Sequence, residues 1–205
     1  MHRRKLWALT ILVATVFLLA EQANAYIQDA ISMKRVLQQT PFIFTAKIEN
    51  FDAEKRTAVF AVDENLKGKV TFQKLYTVLP EDKEGSREYN KASHLVKRLA
   101  TNLPVVFFAD AKAAMQTGAF APVRRGNMVL FLYTNGTWVQ FAAETEEGQT
   151  RLPIKFHHFE PYLRRTFKGT TAEMRQVIID GLAGKKEPPG HDPNEPGGLG
   201  PEVKQ

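Results

Sequence analysis

The feature that most constrains this chain is a pair of apolar runs, Met128–Tyr133 and Trp138–Ala142, joined through Asn135-Gly136. Asn-Gly accepts the positive φ angles of a type I′ turn, whose twist matches that of two antiparallel strands. The spacing predicts a β-hairpin. Asn135-Gly136-Thr137 also has the form of a glycosylation acceptor, but the hairpin accounts for the same residues without modification.

β-patterning extends through much of the chain. Phe42–Ile48 and Thr57–Val62 read as strands across a polar turn at Asp52–Lys55, and Val70–Leu79 as a third strand after Lys67-Gly68-Lys69. Val105–Ala109 reads as a buried strand after Pro104, and Arg151–Phe159 as the last strand before Pro161. Residues 81–94 are charged and polar, Ser93–Leu99 suits a short helix burying Leu95, Val96 and Leu99, and Asp110–Arg125 reads as an irregular loop. A helix is expected over residues 28–38, where Ile27, Ala30, Ile31, Lys34 and Leu37 form a stripe that Pro41 ends. The final helix opens at Thr170 or Thr171, with Glu173 completing a capping box. Met174, Val177, Ile178 and Leu182 share one of its faces, and Gly184 stops it. Residues 185–205 carry only Leu199 and Val203 as aliphatics among many prolines and glycines, so a disordered tail is expected there.

The N-terminus has the three parts of a secretory signal peptide in order: basic Arg3-Arg4-Lys5, apolar Leu6–Ala20, and Ala23-Asn24-Ala25 as the small-residue site. Cleavage is expected between Ala25 and Tyr26, by the general secretory route, leaving a periplasmic or extracellular protein. The apolar stretch falls short of the roughly 20 residues of a membrane span. Loss of the signal removes three bases and one acid and takes the formal charge from +6 to +4. That excess is scattered; it favours anionic envelope surfaces and gives no nucleic-acid footprint. The chain has no cysteine, so neither disulfides nor a lipid-modified cysteine contribute. Three domains of organisation result: a signal peptide at 1–25, one β-rich globular domain at 26–184, and a tail at 185–205.

The same inventory narrows the chemistry. Cysteine nucleophiles are absent, no serine sits in a G-x-S-x-G elbow, and no phosphate-binding glycine loop is present. His157-His158-Phe159-Glu160 is the one cluster of metal-ligating types. On a regular strand His158 and Glu160 share a face, His157 and Phe159 take the other, and a zinc site would need a further ligand such as His94. No metal or cofactor is expected. Glu144, Glu146 and Glu147 are the acids to weigh for glycoside hydrolysis, although the stretch reads first as a solvated turn. Trp138, beside Tyr133, suits either a core position or a stacking surface for a sugar or a partner. Tyr133, Trp138, His158 and Glu160 are thus the candidate binding residues. Pro161–Gly169 mixes bases with aromatics in the manner of side chains capping a core.

The stretch Thr40–Leu79, with strand Phe42–Ile48, a second strand, the Lys67-Gly68 turn and a third strand, resembles the opening of netrin-like domains, which are OB-related barrels. Gly126–Leu132 is similar to their glycine-then-apolar strand. The resemblance covers about half of the chain beyond the signal and lacks the family's cysteines, so protease inhibition through an N-terminal cysteine does not carry over. Tyr133–Trp138 and Glu160–Thr170 also resemble phrases of exported bacterial proteins of planctomycete type, which implies location and no activity. The expected fold is α+β and mainly antiparallel β, an OB/netrin-like barrel or small sandwich with an N-terminal and a C-terminal packed helix. The expected function is an exported, non-catalytic binding or structural domain, its partner an envelope polymer or another exported protein. The alternative is an envelope-polymer hydrolase using carboxylates or a His/Glu metal site.

Overall fold

The computed structural model describes residues 31–110, 127–144 and 149–203. The expected signal peptide, most of the Asp110–Arg125 loop, and Glu146 and Glu147 lie outside the described residues.

Seven strands form a closed barrel: β1 (Phe42–Asp52), β2 (Thr57–Lys67), β3 (Lys74–Val78), β4 (Pro104–Asp110), β5 (Asn127–Thr134), β6 (Thr137–Glu144) and β7 (Arg151–Phe159). The order around the barrel is β1-β2-β3-β7-β6-β5-β4, closed by β4 against β1. Every pairing is antiparallel except the short parallel one of β3 with β7. Among the described residues, three α-helices accompany the barrel: α1 (Met33–Gln39), α2 (Ser93–Val96) and α3 (Thr171–Leu182).

Alternation along the strands builds two cores on opposite sides of one sheet. Phe44, Phe60, Phe107, Leu130, Leu132, Phe141 and Ile154 fill the interior, with Leu95 and Leu99 around α2. Ile43, Val106, Phe108, Tyr133 and Trp138 point the other way and are covered by Met33 and Leu37 of α1 and Met174 and Ile178 of α3. This explains the unbroken apolar run of β4: Val105, Phe107 and Ala109 face inward, while Val106 and Phe108 meet the helices.

The hairpin forms as expected, with φ 43° at Asn135 and 78° at Gly136. Its tip is tied to α3: Asn135 Oδ1 accepts the Thr171 N–H, and Thr171 Oγ1 accepts the Asn135 N–H, each at 3.0 Å. Thr170 and Glu173 form the capping box. Helix α1 begins at Met33, capped by Ser32. The third strand is shorter than the expected Val70–Leu79, because Val70 N–H bonds to Asn65 Oδ1 and Val70 and Phe72 turn into the core before regular pairing starts. Leu182, expected on the buried face of the last helix, is 39% exposed.

The end of the described chain makes specific contacts. Residues 191–203 lie against the barrel end: Glu195 is 8% exposed, Arg98 Nε donates to Gly200 O, Val203 N–H donates to Lys97 O, and Leu199 packs against the core. The expectation of disorder rested on scarce aliphatic surface.

Candidate functional site

The helices cover only part of the barrel's outer surface. Val59, Tyr76 and Val78, on the outward rows of β2 and β3, belong to neither core, and Tyr76 and Val78 are 38% and 67% exposed. Register sets what surrounds them. Lys47 stands opposite Ala61, Ala61 opposite Lys74, and Lys74 opposite Arg151, so one row across β1, β2, β3 and β7 carries three bases. The adjacent row places Val59 opposite Tyr76 and Tyr76 opposite Pro153. The Arg151 guanidinium lies 5.5 Å from the Tyr76 ring centroid, a cation–π contact that fixes both side chains. Lys74 Nζ is held by the Glu49 carboxylate at 2.7 and 2.8 Å. An exposed aromatic ring with a stacked guanidinium and two lysines can take a flat apolar face and anionic groups together.

This face was missed in sequence. Its signal is the alternation Lys74-Tyr76-Val78 against Leu75-Thr77-Leu79, which gains meaning only once pairing places Lys47 and Arg151 beside it.

Of the candidate residues, Tyr133 and Trp138 are buried, at 0% and 3% exposure, and take the core position. Their polar tips hold the loop before α3. Tyr133 Oη donates to Gly169 O and accepts the Gly136 N–H at 2.9 Å, and Trp138 Nε1 donates to Phe167 O at 2.9 Å. Burial pushes the Tyr133 phenol well above its ordinary range.

His158 and Glu160 lie on the surface, joined by His158 Nε2 and Glu160 Oε1 at 2.7 Å. The expected alternation of β7 is broken by a bulge: Gln140 pairs with His158, but Phe141 pairs with Phe156, leaving His157 as the extra residue. Phe156 and Phe159 therefore both pack inward, while His157 sits exposed with its Nδ1 against the Nδ1 of His158. Desolvation and the neighbouring imidazole lower the His157 pKa, against the upward pull of Glu160. The three side chains form a hydrogen-bonded chain, Glu160–His158–His157. His94 does not join it. It pairs with Glu88, whose carboxyl is held low by Lys91 and then His94, and its ring meets the edge of Phe159. Among the described residues no group of three or more His, Asp or Glu is placed to hold a metal ion.

Two clefts lie elsewhere on the described surface. One, of about 360 Å³, runs between α3 and Lys186–Pro189; the other, of about 170 Å³, lies where Thr45, Lys47 and Pro104 meet the start of α3. Neither is lined by Tyr133, Trp138, His158 or Glu160. No helix among the described residues is long and apolar enough to cross a membrane. Comparison with known protein families, curated proteins and solved structures finds no match for this chain.

Proposed function

We propose that this is an exported, non-catalytic binding module that holds an acidic polysaccharide of the cell envelope on the outer face of β2, β3 and β7. The observation that carries the reading is the exposed Tyr76 ring, stacked by Arg151 within a basic row on the face left open by the helices. Tyr76 would stack on the apolar face of a sugar ring, while Arg151, Lys74 and Lys47 meet its carboxylates.

The barrel pattern supports the same place. Strands β1–β3 in succession, a helix before β4, and a last strand parallel to β3 suit an OB-type barrel enlarged from five strands to seven. OB barrels bind oligosaccharides and oligonucleotides on the face of strands 2 and 3. The netrin-like resemblance of Thr40–Leu79 leads to that architecture as well. The signal-peptide pattern of residues 1–25, with cleavage expected between Ala25 and Tyr26, supports a location where envelope polymers are found.

The test is affinity electrophoresis through gels containing an acidic or a neutral polysaccharide. The acidic polymer should retard the protein at low salt, and retardation should weaken as ionic strength rises. Tyr76→Ala and Arg151→Gln should each lower affinity about tenfold or more, as loss of a charged or stacked contact implies. Equal retardation by both polymers, or by wild type and the double variant, would falsify the reading.

A further inference from the structure

Residues 191–203 occupy a groove made by the Pro161–Arg165 turn, the β5–β6 hairpin tip and α2. The Glu195 carboxylate accepts from Arg164 Nε at 3.1 Å and Lys168 Nζ at 2.7 Å, and Arg165 Nε donates to the Glu195 main-chain oxygen at 2.8 Å. Asp192 N–H donates to Arg165 O at 2.8 Å, Arg98 Nε donates to Gly200 O at 2.7 Å, and Val203 N–H donates to Lys97 O at 2.9 Å. Asp192 and Glu202 add looser ion pairs to Lys168, Lys97 and Arg98. The hydrogen bond from Lys168 is the main reason that Glu195 titrates below its ordinary range.

The groove also reads shape. A Cβ at Gly200 would stand 2.3 Å from Thr137 Oγ1 and 2.7 Å from Asn135 O, and one at Gly197 would stand 3.0 Å from Pro161 O. Only a segment with glycine at both places lies down here without displacing its neighbours. The Thr137 hydroxyl beneath Gly200 is buried and has no hydrogen-bond partner among the described residues.

What holds the segment is polar apart from Leu199, which packs against the barrel core, and ordering it costs about 1–2 kcal/mol per residue of backbone entropy. Leu199 and Val203 are its only aliphatics. Just before it the chain is anchored: Pro188 packs near Gly181 and Leu37, and Glu187 pairs with Lys34 at 3.2 Å. Gly190, between anchor and segment, would bring a Cβ within 4 Å of no atom of the described residues and can act as a pivot. A 191–203 arm that swings out at Gly190 leaves behind a groove shaped to its own sequence.

We propose that the groove is an interaction surface for a second copy of this chain, which docks its own 191–203 arm there to form an arm-exchanged dimer. The occupant is identified by the fit: carboxylate at 195, glycines at 197 and 200, and main-chain partners at 192, 200 and 203. Exchange of an identical element is a low-cost route to dimers, because each contact is remade unchanged. A dimer would present two copies of the Tyr76 face to one polymer chain and raise avidity without any new contact. That consequence rests on the proposed function; the exchange does not.

The test mixes two full-length variants, Lys168→Glu in the groove and Glu195→Lys in the arm. Alone, each has a mismatched clasp in every pairing and should sediment as a monomer. Mixed at several hundred micromolar, the intact arm of the first meets the intact groove of the second, and a 1:1 heterodimer should form. A mixture that stays monomeric overturns the proposal, as does dimerisation of either variant alone to the same extent. If circular dichroism shows that a variant has lost its fold, Arg165→Gln for the groove and Gly200→Ala for the arm replace the pair, with the same two readings. Neither outcome depends on polysaccharide binding, so failure of the exchange and failure of the binding reading are distinguished.

Discussion

Tyr133 and Trp138 show how little a side chain's type says about which way it faces. Both have an apolar body and a polar tip, and such residues serve equally as buried anchors and as exposed platforms. Here strand parity turns them toward α1 and α3, and the loop carbonyls of Gly169 and Phe167 satisfy the tips. Tyr133→Phe removes the acceptor of the buried Gly136 N–H and the donor to Gly169 O. It should destabilise by about 1–3 kcal/mol, the cost of leaving a buried polar group unpaired. Urea unfolding measures it, and a change below about 0.5 kcal/mol would contradict the assigned role. His157 gives a second expectation at this scale. Its pKa is lowered first by desolvation and then by His158, while Glu160 raises it. The unfolded chain takes up that proton near pH 6.5, and the folded chain resists until lower pH. Any stability from neutral His157 is present above about pH 6.5 and is lost as pH falls through the folded pKa. In an NMR titration the resonance that vanishes in His157→Gln should have its midpoint below 6.5, and Glu160→Gln should lower it further. A midpoint at or above 6.5 would reject the assigned surroundings.

Elements were legible where local chemistry alone decides them. Asn135-Gly136 and Thr170–Glu173 needed no tertiary information, because turn φ angles and capping bonds are satisfied within a few residues. The β7 bulge was not legible: the sequence of Phe156–Phe159 contains no glycine, and the extra residue emerges only from pairing with β6. The same bulge accounts for both aromatics facing inward and both histidines facing outward. The hairpin tip is also more constrained than a free turn. Gly136 has φ 78°, and a Cβ there would meet Arg164 Nη1 at 2.7 Å and Lys168 O at 3.0 Å. Gly136→Ala should therefore cost at least about 1–2 kcal/mol from the left-handed backbone alone. For a domain of this size that lowers the melting temperature by roughly 2–8 °C. An unchanged melting temperature would mean that the tip moves freely, against its bonds to Thr171 and Arg164.

At the scale of the molecule, strand alternation made a β-rich domain readable, but two things stayed hidden. One is that a single sheet carries a core on each side, so long apolar strands such as β4 were readable as buried without showing what buries them. The other is the docking of 191–203, since hydrophobic content carries no information about a carboxylate such as Glu195 set between Arg164 and Lys168. The candidate site divides similarly. His158 and Glu160 are neighbours in sequence and remain so in space, whereas Tyr76, Lys47 and Arg151 are brought together only by register across four strands.

That register brings Tyr76, Lys47 and Arg151 onto one face. The most direct measurement of binding there is a ¹⁵N–¹H NMR titration of the isotope-labelled protein with an acidic oligosaccharide. Progressive shifts are expected, confined to the amides of β2, β3, the start of β7 and the neighbourhood of Lys47 on β1, centred on Tyr76 and Arg151, and absent from α1 and α3. Shifts centred on the helices, on His157–Glu160 or on the Glu195 groove would contradict the binding reading, as would a spectrum left unchanged at millimolar ligand.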